Sequence, residues 1–161
     1  MSETLKIAPS PAMRAHDHDR CVARVLDEAE AATSASGARF TPVRRRVLEI
    51  LLESHVALGA YDILKRLAAE GLGDKPPVAY RALDFLVEQG LAHRIESLNA
   101  FVACMHPGQT HNPAFMICRD CRAVAEAPGA PDAIARDAAR IGFQVETTVV
   151  EAEGLCPKCQ K

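Results

Sequence analysis

The sequence predicts an α+β protein in two parts, a helical N-terminal part that ends in a β-hairpin and a smaller C-terminal part that mixes strands with one helix. Two observations favour this fold class. Apolar residues recur at helical spacing in several segments before residue 90, and shorter strand-like runs follow them. Two CxxC pairs, Cys118 with Cys121 and Cys156 with Cys159, enclose the C-terminal part and predict a zinc site that stabilises it.

Length and composition indicate an ordinary globular protein. The 161 residues are 48% hydrophobic and 25% charged. No apolar run approaches the ~20 residues of a membrane span, and the N-terminus lacks the apolar stretch of a signal peptide. We therefore expect a cytoplasmic protein, in which CxxC pairs favour metal binding or redox chemistry over disulfides.

Charge gives only weak support for a nucleic-acid partner. The net charge is -2, and residues 37–100 carry nine basic and eight acidic groups, which leaves a surplus of +1. Any DNA binding must therefore come from local geometry, because no positive field extends over the whole chain.

The first three helices can be placed from their caps and apolar spacing. Residues 1–20 mix Pro, Ser and charge without periodicity, so they are predicted to be a disordered tail. A first helix is expected over 21–36. Thr41 and Pro42 predict the start of a second, with Thr41 as its cap and Pro42 in its first turn. A third is expected over 60–70.

The fourth helix is predicted to start at Pro77 and to stop at Gly90. At 100° per residue its apolar face consists of Ala79, Ala82, Leu83, Leu86 and Val87. Its polar face consists of Tyr80, Arg81, Asp84 and Glu88. Because Arg can read guanine through a bidentate fork, the first turn of this face is typical of a DNA recognition helix. An amphipathic surface helix is an equally open interpretation.

A second basic cluster lies at the start of the second helix. Arg44, Arg45 and Arg46 could contact DNA phosphates, although a basic turn of this kind is also common on a solvated surface.

The remainder of the chain predicts a wing, a hinge and a dimerisation domain. The segments AHRI and AFVAC flank ESLN and predict a hairpin, so 21–104 is expected to be a winged helix-turn-helix domain. Turn-forming residues over 105–112 predict a hinge. In 113–161 we expect strands over AFMIC, AVAEA and FQVETTVVEA and a helix over PDAIARDAARIG. Two or three strands leave open edges, which favours a homodimer.

The two CxxC pairs carry the strongest chemical signal. Each pair turns tightly enough to aim two sulfurs at one point, so two pairs complete a tetrahedral Zn–S4 site. A thioredoxin-like dithiol is the alternative, but the βαβ context that it requires is absent from the sequence pattern.

A second metal set is less clearly indicated. His93, Cys104 and His111 could bind a metal through mixed nitrogen and sulfur donors, with Glu126 favoured over Asp120 as a fourth ligand and His106 as a rival for either imidazole. Read from the residues alone, such a scattered set is more often a group of ordinary core and surface residues. His16, His18 and Cys21 could form a further cluster, but a histidine-rich tail is more often solvated.

Four segments together resemble a known family. They are AYDILKRL, KPPVAYRALDFLVEQGLAHRIES, THNPAFMICRDC and EGLCPKC. They are similar to the zinc uptake regulator branch of the ferric uptake regulator superfamily, from about Arg39 to Cys159. The resemblance implies a winged helix joined to a dimerisation domain, whose zinc-loaded homodimer binds operator DNA and represses zinc-acquisition genes.

The resemblance also implies two zinc ions per chain and a role for particular residues. By position, the structural zinc falls on Cys118, Cys121, Cys156 and Cys159. The regulatory zinc falls on His93, Cys104, His111 and Glu126, and base reading on Tyr61 and Arg81. Val78 departs from the Ser or Thr usual in the family, and the histidine-rich run of the iron-sensing branch is missing.

The predicted function is therefore a zinc-responsive repressor. A sensor of iron, manganese or peroxide is the alternative within the class, and a zinc-storage or redox protein without DNA binding is the alternative outside it. An enzyme is not expected, because no nucleophile and base pair stands out and four protein ligands would leave the second metal no open position.

Overall fold

The computed structural model describes residues 11–108, 112–128 and 132–161. A 3-10 turn at Pro11–Met13 comes first. The helices are α1 (His18–Ser36), α2 (Pro42–Leu52), α3 (Ala60–Ala69), α4 (Pro76–Glu88) and α5 (Asp132–Arg140). The strands are β1 (Ala92–Ile95), β2 (Ala100–Ala103), β3 (Pro113–Cys118), β4 (Val124–Pro128) and β5 (Val150–Gly154). Within the described ranges, no helix has the length and apolar character needed to cross a membrane.

Side-chain caps fix where the first two helices begin. Asp17 accepts the N–H of Arg20 at 3.1 Å, so α1 begins at His18, three positions before the predicted start. Thr41 accepts the N–H of Arg44 at 3.4 Å and caps α2 as predicted. The 3-10 turn and the cap at Asp17 lie within the predicted tail, so residues 11–20 include regular structure, while residues 1–10 of that prediction lie outside the described residues.

The helices α1 to α4 enclose one apolar core that the hairpin closes. Its fully buried side chains include Val25, Leu48, Ile50, Leu51, Ile63, Leu67, Leu83, Leu86 and Leu91. Burying each Leu or Ile contributes about 1.5–3 kcal/mol. The strands β1 and β2 pair antiparallel from Ala92↔Ala103 to Ile95↔Ala100. Leu58 and Phe101 exchange backbone hydrogen bonds of 2.9 and 2.8 Å, which fasten the hairpin to the α2–α3 connection. The arrangement is the predicted winged helix.

The apolar face of α4 differs from the prediction at two positions. Phe85 is 9% exposed, because the Arg44 guanidinium covers its ring at 3.8 Å from the centroid. Val87 was predicted to be buried, but it is 39% exposed. It lines a surface groove with Asp84 and Phe101, so the buried stripe of α4 is rotated away from it.

The C-terminal sheet has the strand order β4-β3-β5. The central strand β3 pairs antiparallel with β4 and parallel with β5, from Ala114↔Val150 to Cys118↔Gly154. The predicted long strand over 143–152 is wrong, because β3 offers partners only to Val150–Gly154. The helix α5 lies in the connection between β4 and β5.

Several polar contacts join the two parts of the chain. The N–H of Val124 in β4 donates to the carbonyl of His55 at 2.8 Å. The carboxylate of Glu151 in β5 accepts the N–H groups of Glu96 and Ser97 at the wing tip, at 2.6 and 3.0 Å. The Arg24 guanidinium on α1 donates to the carbonyl of Met105 at 3.1 Å. The domain boundaries themselves stay predictions.

Leu86→Ala and Val87→Ala form a matched pair that tests the orientation of α4. Leu86 is fully buried and Val87 is 39% exposed. We expect Leu86→Ala to lower the free energy of unfolding by about 2–5 kcal/mol through the cavity it leaves. We expect Val87→Ala to change it by no more than about 0.5 kcal/mol. Urea titration of both variants measures this, and equal losses would contradict the orientation.

Candidate functional site

The two CxxC pairs meet at one end of the C-terminal sheet. The pairing of Cys118 with Gly154 brings the residues after β5 beside the end of β3, so all four sulfurs lie within 4.8 Å of one another. The sulfurs of Cys121 and Cys156 are 3.7 Å apart, and all four thiols are free. A zinc tetrahedron with Zn–S bonds of about 2.3 Å has S···S edges of about 3.8 Å. The geometry therefore fits zinc and excludes a disulfide, whose S–S bond is about 2.05 Å.

Backbone N–H groups prepare this cluster for a cation. The N–H of Cys156 donates to the sulfur of Cys118 at 3.4 Å. This N–H, followed by that of Cys121, lowers the pKa of Cys118 to about 6, so one thiolate is present at neutral pH. Hydrogen bonding with Cys156 raises the pKa of Cys159. Zinc binding would therefore release the protons of the remaining thiols into solvent, as is usual in thiolate sites.

A second cluster forms where the hairpin meets the C-terminal sheet. His93 in β1, Cys104 after β2 and Glu126 in β4 offer ligand atoms within 4.8 Å of one another. Nε2 of His93 lies 3.4 Å from Oε1 of Glu126, and Sγ of Cys104 lies 3.9 Å from the same oxygen. Nitrogen, sulfur and oxygen donors in one small volume suit zinc.

The surroundings of the second cluster hold its thiol protonated. Cys104 is fully buried, and Glu126 is 8% exposed. Burial, and then the negative charge of Glu126, raises the pKa of the Cys104 thiol to about 12. The other carboxylate oxygen of Glu126 accepts the N–H of Met105 at 3.1 Å, and the N–H of His106 donates to Sγ of Cys104 at 3.4 Å. Metal binding here must displace a proton from Cys104.

The remaining candidates for this cluster are His106, Asp120 and His111. Among the described residues the cluster consists of His93, Cys104 and Glu126, and the N–H of His106 donates to Sγ of Cys104, so a ligand role for the His106 ring stays a prediction. Asp120 lies in the exposed CxxC turn, away from the cluster. His111 lies outside the described residues, so its role as a ligand stays a prediction.

Sequence reasoning missed one histidine cluster. His16 and His18, predicted to lie in a solvated tail near Cys21, instead lie beside His55. Cys21 is half-buried against the helical core. No spacing rule links His55 to residues so distant in the sequence, and only the packing of α1 against α2 brings them together.

The polar face of α4 presents the residues predicted to read DNA. Tyr80 is 42% exposed, Tyr61 on α3 is 63% exposed, and Arg81 is exposed. Within the part of the chain that the structure describes, the Arg81 side chain has no ion pair. Its charge is therefore available to a partner, as the predicted role requires.

The arginines of α2 are already engaged inside the protein. The Arg44 guanidinium donates to the carbonyl of Arg39 and covers Phe85. Arg45 forms ion pairs with Glu30 and, at 3.0 Å, with Glu49. A phosphate would have to compete with these partners, so DNA contacts by Arg44 and Arg45 stay predictions.

The chain combines a winged helix with a sheet that carries a four-cysteine centre, and a mixed donor cluster lies at their junction. This combination is typical of metal-responsive DNA-binding regulators. The chain is 41% identical over 138 residues to the zinc uptake regulation protein of Escherichia coli (strain K12). The aligned region covers 84% of this chain and 81% of that protein. It belongs to the zinc uptake regulator branch of the ferric uptake regulator family. No protein-family model matches the chain.

Solved structures agree with this assignment. A zinc uptake regulator complexed with zinc and DNA matches with a TM-score of 0.80 at 40% identity, over 86% of this chain and 94% of that one. Holo XcZur matches with a TM-score of 0.72 at 37% identity, over 89% and 98% of the two chains. Apo XcZur matches with a TM-score of only 0.51 at 38% identity, over 87% and 98%. The arrangement of this chain is thus closer to the holo form than to the apo form.

The protonated Cys104 predicts a pH-dependent zinc affinity at the second cluster. Because burial and the charge of Glu126 keep the Cys104 thiol protonated between pH 7 and 8.5, zinc binding in this range releases one proton from Cys104. Raising the pH therefore favours binding, and we expect the dissociation constant to fall about tenfold per pH unit. Competition with a chelator of calibrated pH dependence measures this.

The control for this measurement is Cys104→Ser, because the serine hydroxyl does not ionise in that pH range. The zinc dissociation constant of this variant should no longer fall with pH through a proton released at position 104. A wild-type dissociation constant that is independent of pH would contradict a thiol ligand of raised pKa.

Proposed function

We propose that this protein is a zinc-responsive transcriptional repressor, whose zinc-loaded homodimer binds operator DNA and represses zinc-acquisition genes. The observation that carries the proposal is the position of His93, Cys104 and Glu126, which lie across the junction between the wing and the C-terminal sheet. Membership of the zinc uptake regulator branch supports the same function.

A metal across this junction would couple zinc to the angle between the two parts. His93 and Cys104 belong to the hairpin side, while Glu126 belongs to the sheet. A zinc ion here would be held by His93, Cys104 and Glu126, with His111 as the predicted fourth ligand. The donor atoms of His93 and Cys104 already lie 3.4 and 3.9 Å from the carboxylate of Glu126. The closer match to holo XcZur than to apo XcZur supports a domain arrangement that depends on metal.

Two zinc ions per chain follow from this scheme, with different roles. The centre of Cys118, Cys121, Cys156 and Cys159 ties the chain end to β3, so its zinc is structural. The junction site has a single thiolate together with imidazole and carboxylate donors, so its zinc exchanges more readily and reports the zinc supply.

The homodimer is supported by apolar side chains left exposed on the C-terminal part. They are Met116, Ile134, Ile141, Phe143, Val149 and Leu155, with exposures from 37% to 80%. Apolar surface of this extent marks an interaction site in a soluble protein. A second copy covers it symmetrically and presents two recognition helices to successive major grooves of one duplex.

DNA recognition is assigned to the exposed face of α3 and α4. Arg81 reads a base edge, Tyr80 flanks it in the first turns of α4, and Tyr61 contacts DNA from α3. A repressor must reach the DNA, so the proposed location is the cytoplasm. The proposed function is DNA binding and includes no enzymatic reaction.

Cys104→Ser tests the coupling between zinc and DNA. We expect the variant to fold, dimerise and keep its four-cysteine zinc, because serine is nearly isosteric but binds zinc poorly. Wild type should bind DNA about 5- to 150-fold more tightly when zinc is added, the range of a typical allosteric coupling. The variant should show almost no zinc effect. Fluorescence anisotropy at fixed salt measures this on a duplex selected by the wild-type protein from a random pool.

Cys21→Ser is the matched control for this experiment. Cys21 is half-buried and belongs to no metal cluster within the described ranges, so its loss should leave the zinc response unchanged. A Cys104→Ser protein that still tightens on DNA like wild type would show that the junction site is not the sensor.

Arg81→Ala tests the DNA surface. Removing a base-reading Arg should cost about 1–3 kcal/mol of discrimination, a loss of about 5- to 150-fold in preference for the selected duplex. Arg136→Ala removes the same charge from exposed α5 and should leave the preference intact. Metal content and dimerisation should be normal in both. Equal preferences for the two variants would remove Arg81 from the interface.

A further inference from the structure

Three histidines from two separate segments converge beside the start of α1. His16 precedes α1, His18 is its first residue, and His55 follows α2. Nε2 of His16 lies 3.2 Å from Nε2 of His55 and 3.4 Å from Nδ1 of His18. One ring nitrogen from each residue thus lies within 4.8 Å of the other two.

Two backbone carbonyls determine which of these nitrogens carry lone pairs. Nδ1 of His16 lies 3.2 Å from the carbonyl oxygen of Arg14, and Nε2 of His18 lies 3.1 Å from that of Glu53. A carbonyl oxygen only accepts, so each of these ring nitrogens is the N–H donor. The inner nitrogens of His16 and His18 are therefore unprotonated in the neutral rings, and their lone pairs face each other at 3.4 Å.

This arrangement is the one that metal-bound histidines adopt. Two facing lone pairs repel, and a cation between them converts the repulsion into attraction. Histidine ligands characteristically donate their other ring N–H to a carbonyl or carboxylate, which fixes the tautomer and the ring orientation. His16 and His18 both have this outer partner.

The spacing of the inner nitrogens fits a tetrahedral ion. Zn–N bonds of about 2.0–2.1 Å give N···N edges of about 3.3–3.4 Å. The observed separations of 3.2 and 3.4 Å match such edges. The rings of His16 and His18 are nearly perpendicular, at 78°, and those of His16 and His55 are inclined at 53°, so the contacts are not those of stacked rings.

We propose that His16, His18 and His55 form a third metal site, which binds a divalent transition metal of the zinc class through three imidazoles. The site contains no cysteine and shares no residue with the four-cysteine centre or the junction cluster. Three protein ligands leave one position of a tetrahedron for water or another small donor. Imidazole donors suit zinc, cobalt, nickel and copper, and exclude magnesium and calcium.

The protonation of His55 is compatible with this role. Burial, and then the proximity of His16 and His18, lowers the pKa of His55 to about 4. Its imidazole is therefore neutral at physiological pH and needs to lose no proton before it binds a cation.

The site lies next to the junction between the two parts. The carbonyl of His55 accepts the N–H of Val124, and Val56 bridges to Ala123 beside β4. A small cavity of about 20 Å³ has both His55 and Glu126 in its wall. A metal at the site would therefore fasten the start of α1 to the segment on which β4 rests.

Cobalt binding to the full-length protein tests the proposal. We compare wild type with the double variant His16→Gln/His18→Gln and with the single variant His55→Gln, each loaded to saturation with Co²⁺ after its zinc has been counted by mass spectrometry. Wild type should bind one more metal ion per chain than either variant. The difference spectrum should contain d–d bands but no thiolate-to-cobalt charge-transfer band, because the site has no sulfur ligand.

Arg20→Gln is the matched control, since it removes an exposed charge from the same first turn and leaves all three imidazoles in place. It should bind metal like wild type, and circular dichroism should give the same helix content for every variant. Equal metal content in wild type and the histidine variants would overturn the proposal. So would a thiolate band in the difference spectrum, or an equal loss of metal in Arg20→Gln.

Discussion

The buried carboxylate of Glu126 is the constraint on which the junction depends. A carboxylate that is 8% exposed is costly to bury unless hydrogen bonds or charges compensate it. Its neighbours are the N–H of Met105, the thiol of Cys104 and the imidazole of His93, all of which belong to the hairpin or to the residues just after it. Because Glu126 itself lies in β4, these contacts compensate its burial when the hairpin packs against the C-terminal sheet.

The same carboxylate would favour a cation at the proposed junction site. Glu126 is negative, and it helps to keep the thiol of Cys104 neutral by raising its pKa. A divalent ion reverses this relation, since it attracts the carboxylate and stabilises the thiolate together. The four-cysteine centre is different, because backbone N–H groups already favour a thiolate at Cys118. The four-cysteine centre is thus prepared for a cation before one binds, whereas the proposed junction site would have to lose a proton from Cys104 on binding one.

Local sequence rules predicted much of this molecule. The cap at Thr41, the hairpin after α4 and the two CxxC pairs each depend on residues close in sequence, where spacing determines geometry. Long-range packing decided the rest. Arg44 covers Phe85 from another helix, whereas Val87 on the same helix lies exposed in a surface groove. The strand β5 is short because its parallel register on β3 limits it.

The candidate sites follow the same division. The four cysteines could be predicted from spacing. Glu126 was selected from the residues as a candidate partner of His93 and Cys104, but only the family resemblance favoured this set over ordinary core residues, since three different strands or strand ends contribute. The meeting of His55 with His16 and His18 could not be predicted, because it requires the packing of α1 against α2 and a turn whose carbonyl at Glu53 orients a ring.

The contact of Glu151 with the wing tip bears on how sensitive such a regulator is. Glu151 accepts one hydrogen bond from the N–H of Glu96 and one from that of Ser97. Together these two bonds stabilise the contact by about 2 kcal/mol. A typical allosteric coupling is about 1–3 kcal/mol, so this one carboxylate acts on the same energy scale as the effector itself. It lies on β5 and belongs to no metal cluster within the described ranges. A substitution there would move the zinc concentration at which half of the operators are occupied, so that the set point of the response could be retuned while every ligand stays the same.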